Sequence, residues 1–163
     1  MSASRSLPII RLRAVDHLTF DGEQLCWRKG GHSEQCWSAV SGREGYQSGA
    51  QQTVKDKGPL PEGRWSVRQS EYQKMPDRRF VEKIAAELGR TAWPGGESAW
   101  GRHRVWLHPE PGTITYGRSG FSIHGGDTPG SAGCIDLIGS VAEFAQRFES
   151  HGEDLLLDVQ YGD

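Results

Sequence analysis

Long apolar runs are missing from this chain of 163 residues. A membrane-spanning helix needs about 20 consecutive apolar residues, and no stretch approaches that. Near the start the only apolar run is "LPII", residues 7–10, too short for a signal-peptide core of about 7 to 15 residues. The expectation is a chain made in the cytoplasm without a signal peptide, with no membrane insertion. If it acts outside the cell, another route must export it. Basic runs are missing too. The 19 Lys and Arg and 21 Asp and Glu are interspersed, for a formal charge of −2. No stripe tracks a phosphate backbone, so no nucleic acid is expected as a partner. Cysteine is scarce, at 3 residues, with no Cys-x-x-Cys and no His-x-x-x-His spacing. Neither zinc nor any other metal or cofactor is expected. An odd count leaves one thiol over.

Glycine, by contrast, is abundant: 22 residues, with 8 Pro and 6 Trp, against an average glycine usage of about 7%. That composition favours turns and strands over helix bundles. "HLTFDGEQLCW" sets alternating apolar residues on both sides of Asp21-Gly22, a hairpin signal. "KGGHSE" turns into "QCWSAV", and an antiparallel register that faces Cys26 with Cys36 also faces Leu25 with Trp37. At that separation the two sulfurs either form a disulfide or remain reduced strand cysteines. "SGREGYQSGAQQ" reads as an exposed loop, "DKGPLPEGRWSV" as entry to a strand, "TAWPGGESAWG" as a loop and "HRVWLHP" as a strand. Two segments have helical period. In "DRRFVEKIAAELGR", Phe80, Val81, Ile84, Ala85 and Leu88 form a stripe between Asp77 and Gly89. In "SVAEFAQRFESHG", Val141, Phe144, Ala145 and Phe148 do so, with Ser140 and Glu143 as a capping box and Gly152 as the stop. "DLLLDVQY" reads as a buried final strand. The class is α+β, mainly β, with residues 1–16 an N-terminal segment and residues 17–163 one domain.

The chemistry concentrates in "FSIHGGDTPGSAGCIDL". His124 and Cys134 lie ten positions apart, with Gly125, Gly126, Pro129, Gly130 and Gly133 between them. A cysteine nucleophile needs its thiolate, and a neighbouring histidine can take the proton. Glycines and one proline allow the intervening segment to fold back and join its ends. Gly133 would leave room for a substrate beside Cys134. The backbone N–H groups of Ala132, Gly133 and Cys134 could converge as an oxyanion hole. Such a pair suits acyl transfer through a thioester. Taken alone, each residue also has a plain reading, the cysteine as a small core hydrophobe and the histidine as a polar partner.

"IHGG…SAGCIDL" resembles the signature of the YkuD-type L,D-transpeptidases: a His-Gly, a spacer, then Ser131, Gly133, Cys134 and Ile135. "GPLPEGRW" resembles that family's upstream strand entry. Ala132 and Asp136 replace residues common in the family, and the spacer is short. With "AVSG" and "GRSGFSIHGG", these features resemble the L,D-transpeptidase-like effectors that bacteria inject into rivals by type VI secretion. The resemblance spans residues 17 to 160. It implies a YkuD-like catalytic domain with two short helices, acting on peptidoglycan tetrapeptides at the diaminopimelate–D-alanine bond. Cys134 would be the nucleophile and His124 the base. The reaction would be L,D-carboxypeptidase trimming, D-amino-acid exchange or crosslinking. A cognate immunity protein and a component of the secretion apparatus are implied partners, and the periplasm of a target cell the place of action. The alternatives are a papain-like wall endopeptidase or amidase, where the Cys commonly precedes the His, and a non-catalytic wall-binding module.

Other residues have paired readings. Arg118 could grip a substrate carboxylate bidentately or be a solvated surface charge. Ser122 shares the His124 face, and a carbonyl of Ser122, Gly125 or Gly126 could hold the imidazole in one tautomer. Ser131 would hydrogen-bond within the loop and border the substrate. Trp93 and Trp100 could wall a groove or simply pack. His103 and His108 read as strand-surface polar residues. Asp136 would raise the thiol pKa if it faced Cys134, or could turn away and cap backbone.

Overall fold

A computed structural model describes residues 15–29, 34–76 and 92–162. Nine strands form one sheet: β1 His17–Phe20, β2 Gln24–Arg28, β3 Gln35–Ser38, β4 Val40–Ser41, β5 Gly63–Lys74, β6 His103–Pro109, β7 Ser122–His124, β8 Ile135–Asp136 and β9 Leu155–Val159. Their order is β3-β2-β1-β9-β5-β6-β7-β8-β4. The two strands that end this order, β3 and β4, are joined by a single residue, Ala39, itself buried. The sheet therefore curls until its edges meet, close to a barrel, which leaves little open edge.

Sequence chemistry accounts for most pairings. Asp21 stops β1 and starts β2: its carboxylate accepts the N–H groups of Glu23 (2.9 Å) and Gln24 (2.8 Å), a local side-chain turn. The β2–β3 register faces Cys26 with Cys36 and Leu25 with Trp37. Cys26 and Cys36 are disulfide-bonded. The final strand β9 is central, parallel to β1 and antiparallel to β5. It buries Leu155, Leu157 and Val159 and leaves Leu156 exposed. β5 pairs with both β9 and β6 up to Val67, then shifts register before Tyr72 and continues against β6 alone.

Two α-helices, α1 Gly96–Trp100 and α2 Val141–His151, and one 3-10 turn, Gly49–Gln51, accompany the sheet among the described residues. The loop expected over 91–101 thus contains a short helix. The helix expected over 77–90 lies outside the described residues, as do residues 1–14 of the N-terminal segment. α2 buries Val141, Phe144, Ala145 and Phe148 and stops at Gly152, whose N–H reaches the Phe148 carbonyl. The expected capping box is not formed, because Ser140 makes no side-chain cap bond. Glu143 instead accepts from Gln35 Nε2 at 2.5 Å, so its carboxylate joins α2 to the β3 edge. Phe144 meets Trp27 and Trp37 at ring-centroid distances of 6.2 and 5.6 Å, which seats the helix over the disulfide-linked hairpin. The segment expected as an exposed loop after Ser41 is partly internal. Ser41 is buried and its hydroxyl takes the Leu60 N–H at 2.8 Å. No described helix is long and apolar enough to cross a membrane.

The disulfide closes a separation of 10 residues, which by chain entropy stabilises the fold by about 2 to 3 kcal/mol. Replacing Cys26 and Cys36 together by alanine should lower the unfolding free energy by about that amount in urea titration. Thiol counting on the unfolded, non-reduced chain should find Cys134 alone.

Candidate active site

The site is laid out by strand register. β7 and β8 are parallel neighbours that pair Ile123 with Ile135 and His124 with Asp136. Parallel strands need a crossover, commonly of about a dozen residues, and here the glycine-rich segment 125–134 supplies it. β6 pairs antiparallel with β7, setting Arg104 opposite His124 and Trp106 opposite Ser122. On the β5 side Gln73 faces Arg104. Directly paired residues share a sheet face. One row across that face therefore reads Gln73, Arg104, His124, Asp136. The next reads Trp106 and Ser122, with Cys134 beside Ser122.

The contacts follow that lattice. The Ser122 hydroxyl donates to Cys134 Sγ at 3.2 Å. Cys134 Sγ lies 3.6 Å from the Gly120 carbonyl. The His124 imidazole and the Cys134 side chain are close enough to shift each other's protonation. Its Nδ1 lies 2.5 Å from the Gly125 carbonyl. A carbonyl only accepts, so Nδ1 carries a proton and Nε2 is left for the sulfur. Of the three carbonyls considered, Gly125 holds the ring. Both side chains are nearly enclosed, His124 at 2% and Cys134 at 5% exposure.

Burial works against charge on both groups, yet each is shifted toward it. For Cys134, burial raises the pKa, but the His124 hydrogen bond and charge, with the Ser122 contacts, bring it below the ordinary thiol value. For His124, burial lowers the pKa, but the Cys134 hydrogen bond and charge, the Gly125 carbonyl and Asp136 lift it above the ordinary imidazole value. Both shifts favour the thiolate–imidazolium form of the pair, against the burial that opposes it. Asp136 does not oppose it by facing the sulfur. Its carboxylate caps backbone, taking the Ile138 N–H at 2.8 Å and the Gly130 N–H at 3.2 Å. Burial raises its own pKa, against those bonds and the His124 charge.

Three expectations are corrected. First, the amides of Ala132, Gly133 and Cys134 do not converge. Gly133 N–H is spent on the Gly58 carbonyl at 2.9 Å, and Cys134 N–H points back to the Ser131 carbonyl at 3.4 Å. Ala132 N–H alone has no acceptor among the described residues. Second, Gly133 does not clear space for a substrate. Its φ is +73°, and a Cβ there would lie 2.9 Å from the Phe121 ring and 3.4 Å from Arg118 Nη2. Third, Arg118 is neither a surface charge nor an open fork. It is buried, and its guanidinium donates to the carbonyls of Gln52 (2.5 Å), Pro59 (2.7 Å) and Gly58 (2.8 Å). Arg118 anchors the 52–59 segment beneath the Cys134 turn. Ser131 acts through its carbonyl, which takes the Gly42 N–H at 2.9 Å as well as that of Cys134.

Residues that sequence reasoning passed over complete the wall. Arg104 is buried, with its guanidinium carbon 3.8, 4.6 and 4.9 Å from the ring centres of Trp93, Trp100 and Trp106. Its Nε reaches Gln73 Oε1 at 2.7 Å and its Nη2 the Ala92 carbonyl at 2.8 Å. The alternation of Arg104 and Trp106 in "HRVWLHP" was the available signal. Of the two readings for Trp93 and Trp100, packing is realised. His103 is half-buried and bonded to the Tyr72 hydroxyl at 2.7 Å, and burial lowers its pKa. His108 pairs with Glu71 at 3.1 Å.

A cleft of about 380 Å³ borders the sulfur's neighbour Gly120 and is lined also by Trp106, His108, Arg118 and Phe121. A larger hollow of about 740 Å³, around Asp21, Gln47 and Tyr161, includes neither Cys134 nor His124. Among the described residues one trio of metal-ligating groups is close together, Cys26, Glu34 and Cys36. Its two sulfurs are bonded to each other, which leaves the carboxylate as the remaining ordinary ligand.

No family model matches the chain, and no curated protein matches it. Among solved structures it is similar to the crystal structure of Mycobacterium tuberculosis L,D-transpeptidase 1. The two are 16% identical, with 90% of this chain and 63% of that one covered and a TM-score of 0.44.

Two measurements check this geometry. Arg118→Met should strip three buried carbonyls of their donor and destabilise the fold by about 3 kcal/mol, read by urea unfolding; unchanged stability would refute the anchoring role. The alkylation rate of Cys134 should stay high through neutral pH. The depressed thiol pKa means the thiolate is lost only as pH falls below the ordinary thiol range. The raised imidazole pKa means the pairing cation is lost only as pH rises. His124→Ala should move the alkylation midpoint up toward or above the free-thiol value of about 8.5.

Proposed function

We propose that this protein is a cysteine acyltransferase acting on peptidoglycan stem peptides at the bond between diaminopimelate and D-alanine. The observation that carries the chemistry is the buried Cys134 side chain electrostatically coupled to a neighbouring imidazole whose Nδ1 is held by Gly125. The substrate class rests on the likeness of "IHGG…SAGCIDL" to the L,D-transpeptidase signature. Metal-free nucleophilic catalysis needs no group beyond those named.

In the first half-reaction the Cys134 thiolate attacks the diaminopimelate carbonyl. The tetrahedral oxyanion collapses, the C–N bond breaks, and His124 gives its proton to the departing D-alanine amine. A thioester remains. In the second half-reaction water, a D-amino acid or a second diaminopimelate amine attacks the thioester. His124 takes the proton and the thiolate leaves. Water yields L,D-carboxypeptidase activity, a D-amino acid yields exchange, and the second amine a crosslink. The Ser122 hydroxyl holds the sulfur in place and supports its charge. Ala132 N–H is the amide available to the oxyanion. The donor peptide would lie along the cleft beside Gly120, with Ser131 and Gly125 at its border. As an antibacterial effector delivered by type VI secretion, the enzyme would act in a target cell's periplasm, consume donor tetrapeptides and be held in check by a cognate immunity protein.

Mass spectrometry of purified disaccharide tetrapeptide, with and without an added D-amino acid, tests the reading. The expected result is loss or replacement of the terminal D-alanine by the native protein. Cys134→Ala should abolish it. His124→Ala should slow it by about 10²- to 10⁴-fold, and the double variant should be no slower than Cys134→Ala, since the two act as a unit. D-alanine release by Cys134→Ala at the native rate would overturn the mechanism.

A further inference from the structure

Arg104 is directly opposite His124 in the β6–β7 ladder. Like charges facing each other across strands destabilise a sheet, and the imidazolium of the reacting pair would face a permanent cation. Among the described residues no carboxylate pairs with Arg104, although it is 7% exposed. A buried unpaired cation is costly. Here the guanidinium is drawn aside by Gln73 and the Ala92 carbonyl and surrounded by three indoles.

One of those rings touches both cations. Trp100 lies 4.6 Å from the Arg104 guanidinium and 5.0 Å from the His124 ring centre. Its own placement is secured three times. Its Nε1 donates to the Pro94 carbonyl at 2.7 Å. Its carbonyl accepts the Gly125 N–H at 2.9 Å. The Asp127 N–H reaches Ser98 in the same helix at 2.8 Å. That docking requires glycine at 126, where a Cβ would lie 2.8 Å from the carbonyls of Ser98 and Ala99. The segment that joins His124 to Cys134 is thus clamped to the helix that carries Trp100.

We infer that Trp100 is a positioning residue for the reacting pair: it fixes the His124 ring against Cys134 and shields its cationic form from Arg104. An aromatic face attracts a cation within about 6 Å, so the ring stabilises each charge while separating them. The other charged or titratable groups around His124 are accounted for. Cys134 is its partner, Asp136 on β8 caps backbone, and Glu97 of α1 is paired with Arg102 at 3.5 Å. Asp127 lies in the loop beyond Gly126, and from α2 the apolar Val141 packs on Gly125. The inference rests on Cys134 and His124 being a reacting pair but not on any substrate.

The test is the pH dependence of Cys134 alkylation by iodoacetamide, with the disulfide intact and the site mapped by mass spectrometry. Trp100→Met keeps a long apolar side chain but loses the π face together with the Nε1–H held by Pro94. It should raise the midpoint by about one unit and slow alkylation near neutral pH about tenfold, a change of 1.36 kcal/mol. Trp100→Phe should stay within about twofold of native. Adding Arg104→Gln to Trp100→Met should recover most of the loss, whereas Arg104→Gln alone should change the rate by less than about twofold, because the ring already shields it. A Trp100→Met profile that superimposes on native while His124→Ala moves it would overturn this inference alone. So would a large shift from Arg104→Gln with Trp100 in place, a result that does not depend on Trp100→Met folding. If His124→Ala leaves the profile unmoved, the reacting pair itself is wrong.

Discussion

The parallel pairing of β7 with β8 is the constraint on which the site depends. Two short strands, Ser122–His124 and Ile135–Asp136, are held in one register by Ile123 against Ile135 in the core. A slip of one residue would send every side chain to the opposite face. In the register adopted, Ser122 lies beside Cys134 and His124 is directed to the same sulfur. The glycines of the connecting segment serve this pairing rather than substrate access. They let the chain turn back sharply and approach α1, Phe121 and the 42–59 region without side chains in the way.

Burial gives the pair its character. An ion pair removed from water must find enough compensating contacts to remain charged. The sulfur has His124 and Ser122 as partners, and the imidazole has Cys134, the Gly125 carbonyl and the Trp100 ring. Three further charges are buried close by and each is satisfied differently: Arg118 by backbone carbonyls, Arg104 by indole faces, Asp136 by backbone amides. Among the described residues none of the three forms a salt bridge, although Asp136 adds its charge to the surroundings of His124. These charges are fastened to backbone from several segments of the chain at once.

Much of the fold was legible along the chain. The Asp21-Gly22 hairpin, the Cys26–Cys36 register, the strands at Gly63 and His103, and the α2 stripe all follow from local period and turn chemistry. The Ser140–Glu143 box fails for a tertiary reason: Gln35, far away in sequence, offers Glu143 a partner across the β3 edge. The short helix at Gly96–Trp100 is hidden in a glycine-rich stretch because its stability comes from docking on the 125–127 backbone and not from its own five residues.

For the site, the amino-acid sequence by itself singled out the candidate groups. A lone thiol, a histidine ten residues before it and a bend-rich spacer are local facts, and so is the quoted likeness to one signature. Only the tertiary structure decided which donors and charges surround them. Arg118 looked free because nothing nearby in sequence claims a guanidinium. Its acceptors are carbonyls of residues 52–59, brought under it by folding. The amides of the Cys134 turn looked convergent because spacing says nothing of ψ or of competing acceptors such as Gly58. Arg104 and Trp100 looked unremarkable because the pairing that sets one opposite His124, and the docking that lays the other on its ring, join segments twenty or more residues apart. Covalent order specifies reactive groups, whereas their protonation and aim depend on distances that arise only when the sheet closes.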